Sequence, residues 1–132
     1  MGRPVRLLLD THVLIWWLLD EPRLSRKARH LLSSPEAQVF VSSASALEMA
    51  TKHRLGKLPG AKRLLDDFAG VLATAGMSGL PMTIEHALAA GSMRAAHADP
   101  FDRILAAQSQ IEQLLLVTSD AELSRLVPTT VW

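Results

Sequence analysis

The chain reads as an α/β protein, a parallel sheet wrapped by helices on both faces. Three observations lead there. Short apolar or β-branched runs alternate with stretches of helical period along all 132 residues. Four acidic residues, far apart in sequence, each sit at the end of such a run or at the start of the helix near it. No repeat, low-complexity tract or linker interrupts the alternation, and the length suits one domain, residues 1–132.

Arg6 to Leu9 is a short buried strand, and Thr11 to Leu19 a helix that begins directly after it. Ser25 to Leu32 is a basic amphipathic helix, with Leu24, Ala28, Leu31 and Leu32 at helical spacing. Ser33-Ser34-Pro35-Glu36 turns the chain into a β-branched and aromatic strand, Gln38 to Ser42. Ala44 to Leu55 is a helix stopped by Gly56. After Pro59-Gly60, one helix is predicted over Ala61 to Ala75. A weak strand near Met77 to Met82 follows, then a short helix, Ile84 to Ala90, capped by Thr83. Pro100 to Gln113 is a strong helix, Leu114 to Thr118 a strand, Ala121 to Leu126 a short helix, and Thr129 to Trp132 a last strand.

Composition narrows the function classes. There is no cysteine, which removes disulfides and thiolate metal sites and is compatible with a reducing cytoplasm, the expected location. Met1-Gly2-Arg3-Pro4 leads into the first strand without a signal-peptide h-region. Arg6 departs from a myristoylation motif. The apolar run Val13 to Leu19 is far short of the ~20 residues that span a bilayer. No membrane association is expected, and a net charge of +1 announces no nucleic-acid partner by itself.

The acidic residues are Asp10, Glu48, Asp102 and Asp120. Each has a plain structural reading. Asp10 suits the N-cap of the helix after the first strand. Glu48 completes a capping box with Ser45 and stands four residues before Lys52, at ion-pair spacing. Asp99 before Pro100 is a good N-cap, and Asp102 then falls where a carboxylate suits the helix dipole. Asp120 suits the N-cap of the helix at Ala121. Together they invite another reading, because in an open parallel sheet the carboxyl ends of the strands form one rim and ligands bind there. Two unit charges ~5 Å apart at an effective dielectric of ~20 repel by about 3 kcal/mol, so carboxylates gathered on that rim call for cations. An oxygen-only site favours Mg²⁺ or Mn²⁺, which can acidify a water and offset charge on a departing phosphate oxygen. Metal ligation is favoured for Asp102 and capping for Asp99; Thr118 or Ser119 could offer a hydroxyl to metal-bound water.

The blocks around these acids resemble the PIN-domain family, in particular VapC-like toxins of prokaryotic toxin–antitoxin pairs. They are Leu8-Leu9-Asp10-Thr11-His12-Val13-Leu14-Ile15-Trp16, Ser45-Ala46-Leu47-Glu48-Met49-Ala50-Thr51-Lys52 on to Gly56-Lys57-Leu58, His97-Ala98-Asp99-Pro100-Phe101-Asp102-Arg103, and Leu116-Val117-Thr118-Ser119-Asp120. Each block is weak alone; the ordered set runs nearly end to end. The resemblance implies a PIN-like three-layer sandwich with about five parallel strands in 3-2-1-4-5 order. It implies a Mg²⁺- or Mn²⁺-dependent endoribonuclease in which Asp10, Glu48, Asp102 and Asp120 match the acidic ligands, with Asp99 an extra acid of the Asp-Pro-Phe-Asp-Arg subgroup. It also implies a cognate antitoxin, an RNA substrate and a homodimer.

Other features fit around this core. Arg23, Arg26, Lys27, Arg29 and His30 form one basic group, and Lys52, His53, Arg54 and Lys57 another, followed by Lys62 and Arg63. Solvated helix faces are the plain reading; beside an acidic cleft they would position phosphates. Trp16 and Trp17 are adjacent on one helix, so one is expected to turn from the core toward a subunit or antitoxin interface. His12 and His97 read as hydrogen-bonding neighbours of the acids, and Arg103 as a partner of Asp99 or of a phosphate. Two other functions compete: a non-catalytic RNA- or protein-binding module that keeps the acids as caps, and a phosphotransfer domain of receiver type. The latter wants an acidic pair after the first strand, where this chain has one Asp.

Overall fold

Leu7, Leu8 and Leu9 have no solvent exposure, the mark of a central strand covered on both faces. They belong to β1 (Val5–Leu9) in a computed structural model that describes residues 4–94, 96 and 99–132. β1 pairs in parallel with β2 (Ala37–Ser42) on one side and β4 (Leu115–Val117) on the other, in register Leu8 to Phe40 and Leu8 to Leu116. β3 (Ser78–Leu80) lies outside β2, and β5 (Thr130–Val131) outside β4. The sheet order is therefore 3-2-1-4-5, all parallel, as the resemblance implies.

The pleat sends alternate side chains to opposite faces, and the two faces carry separate cores. Leu7, Leu9, Val39, Val41 and Val117 pack on one side with Val13 and Leu14 of α1 (Thr11–Leu18) and Ala28 and Leu32 of α2 (Arg26–Ser33). Met49 of α3 (Ser43–Arg54) joins the same cluster. Leu8 and Leu116 face the other way, onto Leu105 and Ala106 of α7 (Pro100–Glu112) and Leu123 of α8 (Ala121–Leu126). Between β3 and α7 stands α6 (Ile84–Ser92), which Thr83 caps. The His86 imidazole completes that cap by accepting the Thr83 amide at 3.0 Å, and its Nε2 meets Glu112 at 2.9 Å.

Two expectations fail here for local reasons. The helix predicted over Ala61 to Ala75 is two helices, α4 (Lys62–Asp66) and α5 (Phe68–Thr74). Asp67 leaves helical geometry (φ −141°, ψ 58°) and its carboxylate accepts the Gly70 amide at 3.2 Å, so it starts a new helix instead of continuing the old one. Gly70 makes this possible, because a Cβ there would collide with the Asp67 carboxylate. The second is that the two tryptophans would not share one core. Trp16 and Trp17 are both half-buried, and both pack on the margin of the same core cluster. Among the described residues, no helix is long and apolar enough to cross a membrane.

Candidate active site

In a parallel sheet every strand ends on the same edge, and the chain reverses its winding direction between β1 and β4. That is the topological switch point, where a crevice opens. Asp10 is the residue after β1 and Thr118 the residue after β4. The Thr118 hydroxyl donates to Asp10 Oδ2 at 2.9 Å and accepts the Asp120 amide at 3.0 Å, while the Asp10 amide bonds the Val117 carbonyl at 3.0 Å. The hydroxyl so fixes the Asp10 carboxylate and the loop carrying Asp120 at once. Thr118, one of the two hydroxyls that could face a metal-bound water, makes this bridge. Ser119 is exposed.

Asp10 occupies the N-cap position of α1 without a side-chain capping bond. The backbone amide of His12, in the first turn of α1, still favours the charged carboxylate, but its side-chain hydrogen bond goes to Thr118 at the crevice. Asp10 is buried, and burial pushes its carboxyl above the ordinary range; the charge of Glu48 adds to that, while the Thr118 hydrogen bond and the charge of His12 oppose it.

Glu48 comes to Asp10 from α3. The capping box expected of Ser45 and Glu48 is absent, because the helix starts earlier: Ser42 is the N-cap and accepts the Ala44 amide at 3.0 Å. Ser45 is inside the helix, where its Oγ accepts the Thr11 hydroxyl at 2.8 Å and ties α3 to α1. One turn on, Glu48 is buried and pairs with the Lys52 ammonium at 2.7 Å, the ion pair that the i,i+4 spacing allows. Glu48 already draws a cation.

The remaining acids arrive through α7 and α8. α7 runs back against β4, so its N-terminus lies at the carboxyl rim. Asp99 caps it, with Oδ1 accepting the Phe101 and Asp102 amides at 2.9 and 3.3 Å. Asp102 is half-buried in the first turn. Asp99 and Phe101 line one cavity with Glu48 and Lys52. Asp120 caps α8, its Oδ1 accepting the Glu122 and Leu123 amides at 2.8 and 3.3 Å. In both caps Oδ1 takes both bonds, leaving Oδ2 outside the capping pair. Arg103 is anchored by the carbonyls of Ala90 and Met93, at the C-terminal end of α6. His97 lies outside the described residues.

The four acids thus share one rim, with Asp10 and Glu48 its buried centre. Among the described residues, no three of the histidines and acids stand close enough to hold one metal ion together. The donor chemistry nevertheless fits a hard divalent cation. The set is all oxygen, its central carboxyl is raised by burial beside a second buried acid, and a cation placed there would reverse both effects. Asp10 and Glu48 would hold it, with Asp102 and Asp120 at the margin. Three positioning features are invisible to motif reading: the Thr11–Ser45 bond, the Thr118 bridge and the true cap at Ser42. The signal available was hydroxyl residues at strand ends amid apolar neighbours.

The family model described as PIN domain matches residues 7–127. No curated protein matches the chain in sequence. Solved structures share the fold. VapBC2 from Rickettsia felis, bound to a DNA fragment from its promoter, has a TM-score of 0.67 at 15% identity, over 96% of each chain. A toxin–antitoxin complex from Klebsiella pneumoniae gives 0.61 at 21%, over 95% of each. FitAcB from Neisseria gonorrhoeae gives 0.62 at 19%, over 96% of each.

Proposed function

Because the chain belongs to the PIN-domain family, we propose that it is a Mg²⁺- or Mn²⁺-dependent endoribonuclease, the toxin of a toxin–antitoxin pair. The observation that carries the reading is the buried Asp10 beside Glu48 at the switch point, its carboxylate held by Thr118. The solved toxin–antitoxin complexes of like fold support a cognate antitoxin as partner.

Asp10 and Glu48, with Asp102 and Asp120, would hold a divalent cation, whose chemistry there would be to acidify a water and offset charge on the departing oxygen. The chain's own groups do the rest. Asp10 and Glu48 set where the phosphate can approach. Lys52, bonded to Glu48, places an ammonium beside it to meet a phosphate oxygen. Asp120 Oδ2 lies outside the α8 capping pair, and Asp102 lies in the first turn of α7 at the same margin. The products would carry 5′-phosphate and 3′-hydroxyl ends.

A homodimer is part of the reading. Ile84 and Leu88, one turn apart on α6, are 80% and 66% exposed, apolar surface a lone chain would rather cover. The competing reading, a non-catalytic binding module, draws on Asp99 and Asp120 serving as caps. Antitoxin-free protein incubated with single-stranded RNA separates the two. Cleavage with Mg²⁺ or Mn²⁺, abolished by EDTA and leaving 5′-phosphates, is the expected result. Binding without cleavage in either ion returns the binding module to first place.

A further inference from the structure

Beside the acids lies a second cavity, of about 410 Å³, lined by His12, Trp16, Arg23, Lys52 and Lys57 among others. That volume is within the ~300–1,000 Å³ typical of small-ligand sites. Lys52 and Lys57 also line the cavity that holds Glu48 and Asp99, so the two open on either side of the same pair of lysines. The turn that ends α3 brings them together: Gly56 takes a positive φ of 73°, and the Lys57 amide then bonds the Lys52 carbonyl at 2.8 Å. A chain of phosphates lying on the acids would have to pass these ammonium groups.

The walls are planar as well as cationic. The rings of His12 and Trp16 lie 6.0 Å apart, and the Trp132 ring meets Trp16 edge-on at 5.8 Å, which fixes the indole in place. The Arg23 guanidinium lies 5.8 Å from the Trp16 ring centroid, a flat cation over a π face. Four basic residues line this space against one acid, Glu21, which stands 4.0 Å from Arg23. Aromatic and guanidinium planes interleaved with phosphate-binding charge are what single-stranded nucleic acid requires.

We propose that this cavity is a nucleotide subsite, in which the base next to the cleaved bond stacks on Trp16 and Arg23 while Lys52 and Lys57 hold its phosphate. The inference rests on the ribonuclease reading and adds where the strand runs. It makes Trp16 and Arg23 positioning residues for the substrate.

The test is binding of a short, labelled single-stranded RNA by the full chain in Ca²⁺, measured by fluorescence anisotropy, with one abasic residue moved along the strand. At one position the missing base should weaken wild-type binding about tenfold, the size of one base–aromatic stack. In Trp16→Leu that penalty should vanish. Arg23 is 70% exposed and Lys57 is exposed, so Arg23→Gln and Lys57→Gln keep the test open if the tryptophan variant does not fold. Arg23→Gln should shrink the abasic penalty severalfold, and Lys57→Gln should flatten the salt slope by about one. An abasic penalty that is absent in the wild type, or unchanged in Trp16→Leu or Arg23→Gln, overturns the subsite while leaving ribonuclease activity to its own assay. Wild-type protein that binds no RNA overturns both. Variants that keep full RNA affinity but release the antitoxin mark the cavity as a protein-docking site, which also overturns the proposal.

Discussion

Replacing Asp10 by Asn should stabilise the metal-free protein at neutral pH, against the usual direction for a buried substitution. Asn keeps the shape and can still accept the Thr118 hydroxyl, but it removes a buried charge that sits beside Glu48. Burial is the largest cause of the raised Asp10 carboxyl, and the charge of Glu48 adds to it. The Thr118 hydrogen bond and the charge of His12 offset part of that, so the expected gain is about 1–2 kcal/mol, or about 4–8 °C in Tm for a domain of this size. The pH dependence follows from the raised Asp10 carboxyl. Its folded pKa lies above the unfolded value, so its stabilising contribution is complete below the unfolded pKa and is lost as pH rises through the folded one. Wild-type protein in EDTA should therefore lose stability across that window, and Asp10→Asn should not. With Mn²⁺ the order reverses: ion at a hundred times its Kd adds about 2.7 kcal/mol to the wild type and little to the variant. Thermal unfolding followed by circular dichroism, in EDTA and in Mn²⁺, measures all of this. A variant less stable than wild type in EDTA, with an unchanged Mn²⁺ shift, would refute the buried-charge reasoning.

Thr118→Val removes the hydroxyl shared by Asp10 and the Asp120 amide; it should cost about 1–3 kcal/mol and weaken the Mn²⁺ shift, both read from the same melts. Lys52→Met leaves buried Glu48 without its ammonium. It should lower stability by about 2 kcal/mol in EDTA yet enlarge the Mn²⁺ shift, because ion and ammonium compete for one carboxylate. Sedimentation at micromolar concentration should show a dimer that Ile84→Asp with Leu88→Asp converts to a monomer; a wild-type monomer would count against the homodimer.

Most of the fold was legible because each strand is a short apolar run and each helix has a plain period or cap. β1 through Leu7-Leu8-Leu9, α7 behind Asp99-Pro100 and α8 behind Asp120 lie where the residues predict. The break at Asp67 was not read, since two adjacent aspartates in an apolar-periodic stretch look like helix surface until one turns back onto Gly70. The capping box at Ser45 and Glu48 was misread because two serines three residues apart can each serve as a cap. Only the folded chain shows that the Ser45 hydroxyl is bonded to Thr11 and that Ser42 is the cap. The parallel topology follows from the alternation, so the elements that carry the four acids could be read from sequence. Their separate occupations could not, because Oδ1 of Asp99 and Asp120, the Thr118 bridge and the Lys52 pair are choices of rotamer.

The central claim is that Asp10 and its neighbours on the rim hold a cation that cuts RNA, and one comparison tests it most directly. Cleavage of single-stranded RNA by antitoxin-free protein is measured in Mn²⁺ for wild type, Asp10→Asn and Asp102→Asn, with each variant shown to be folded. The account predicts rates lower by orders of magnitude in both variants, and none in EDTA for any of the three. Cleavage that persists in EDTA, or that survives Asp10→Asn at the wild-type rate, would contradict it.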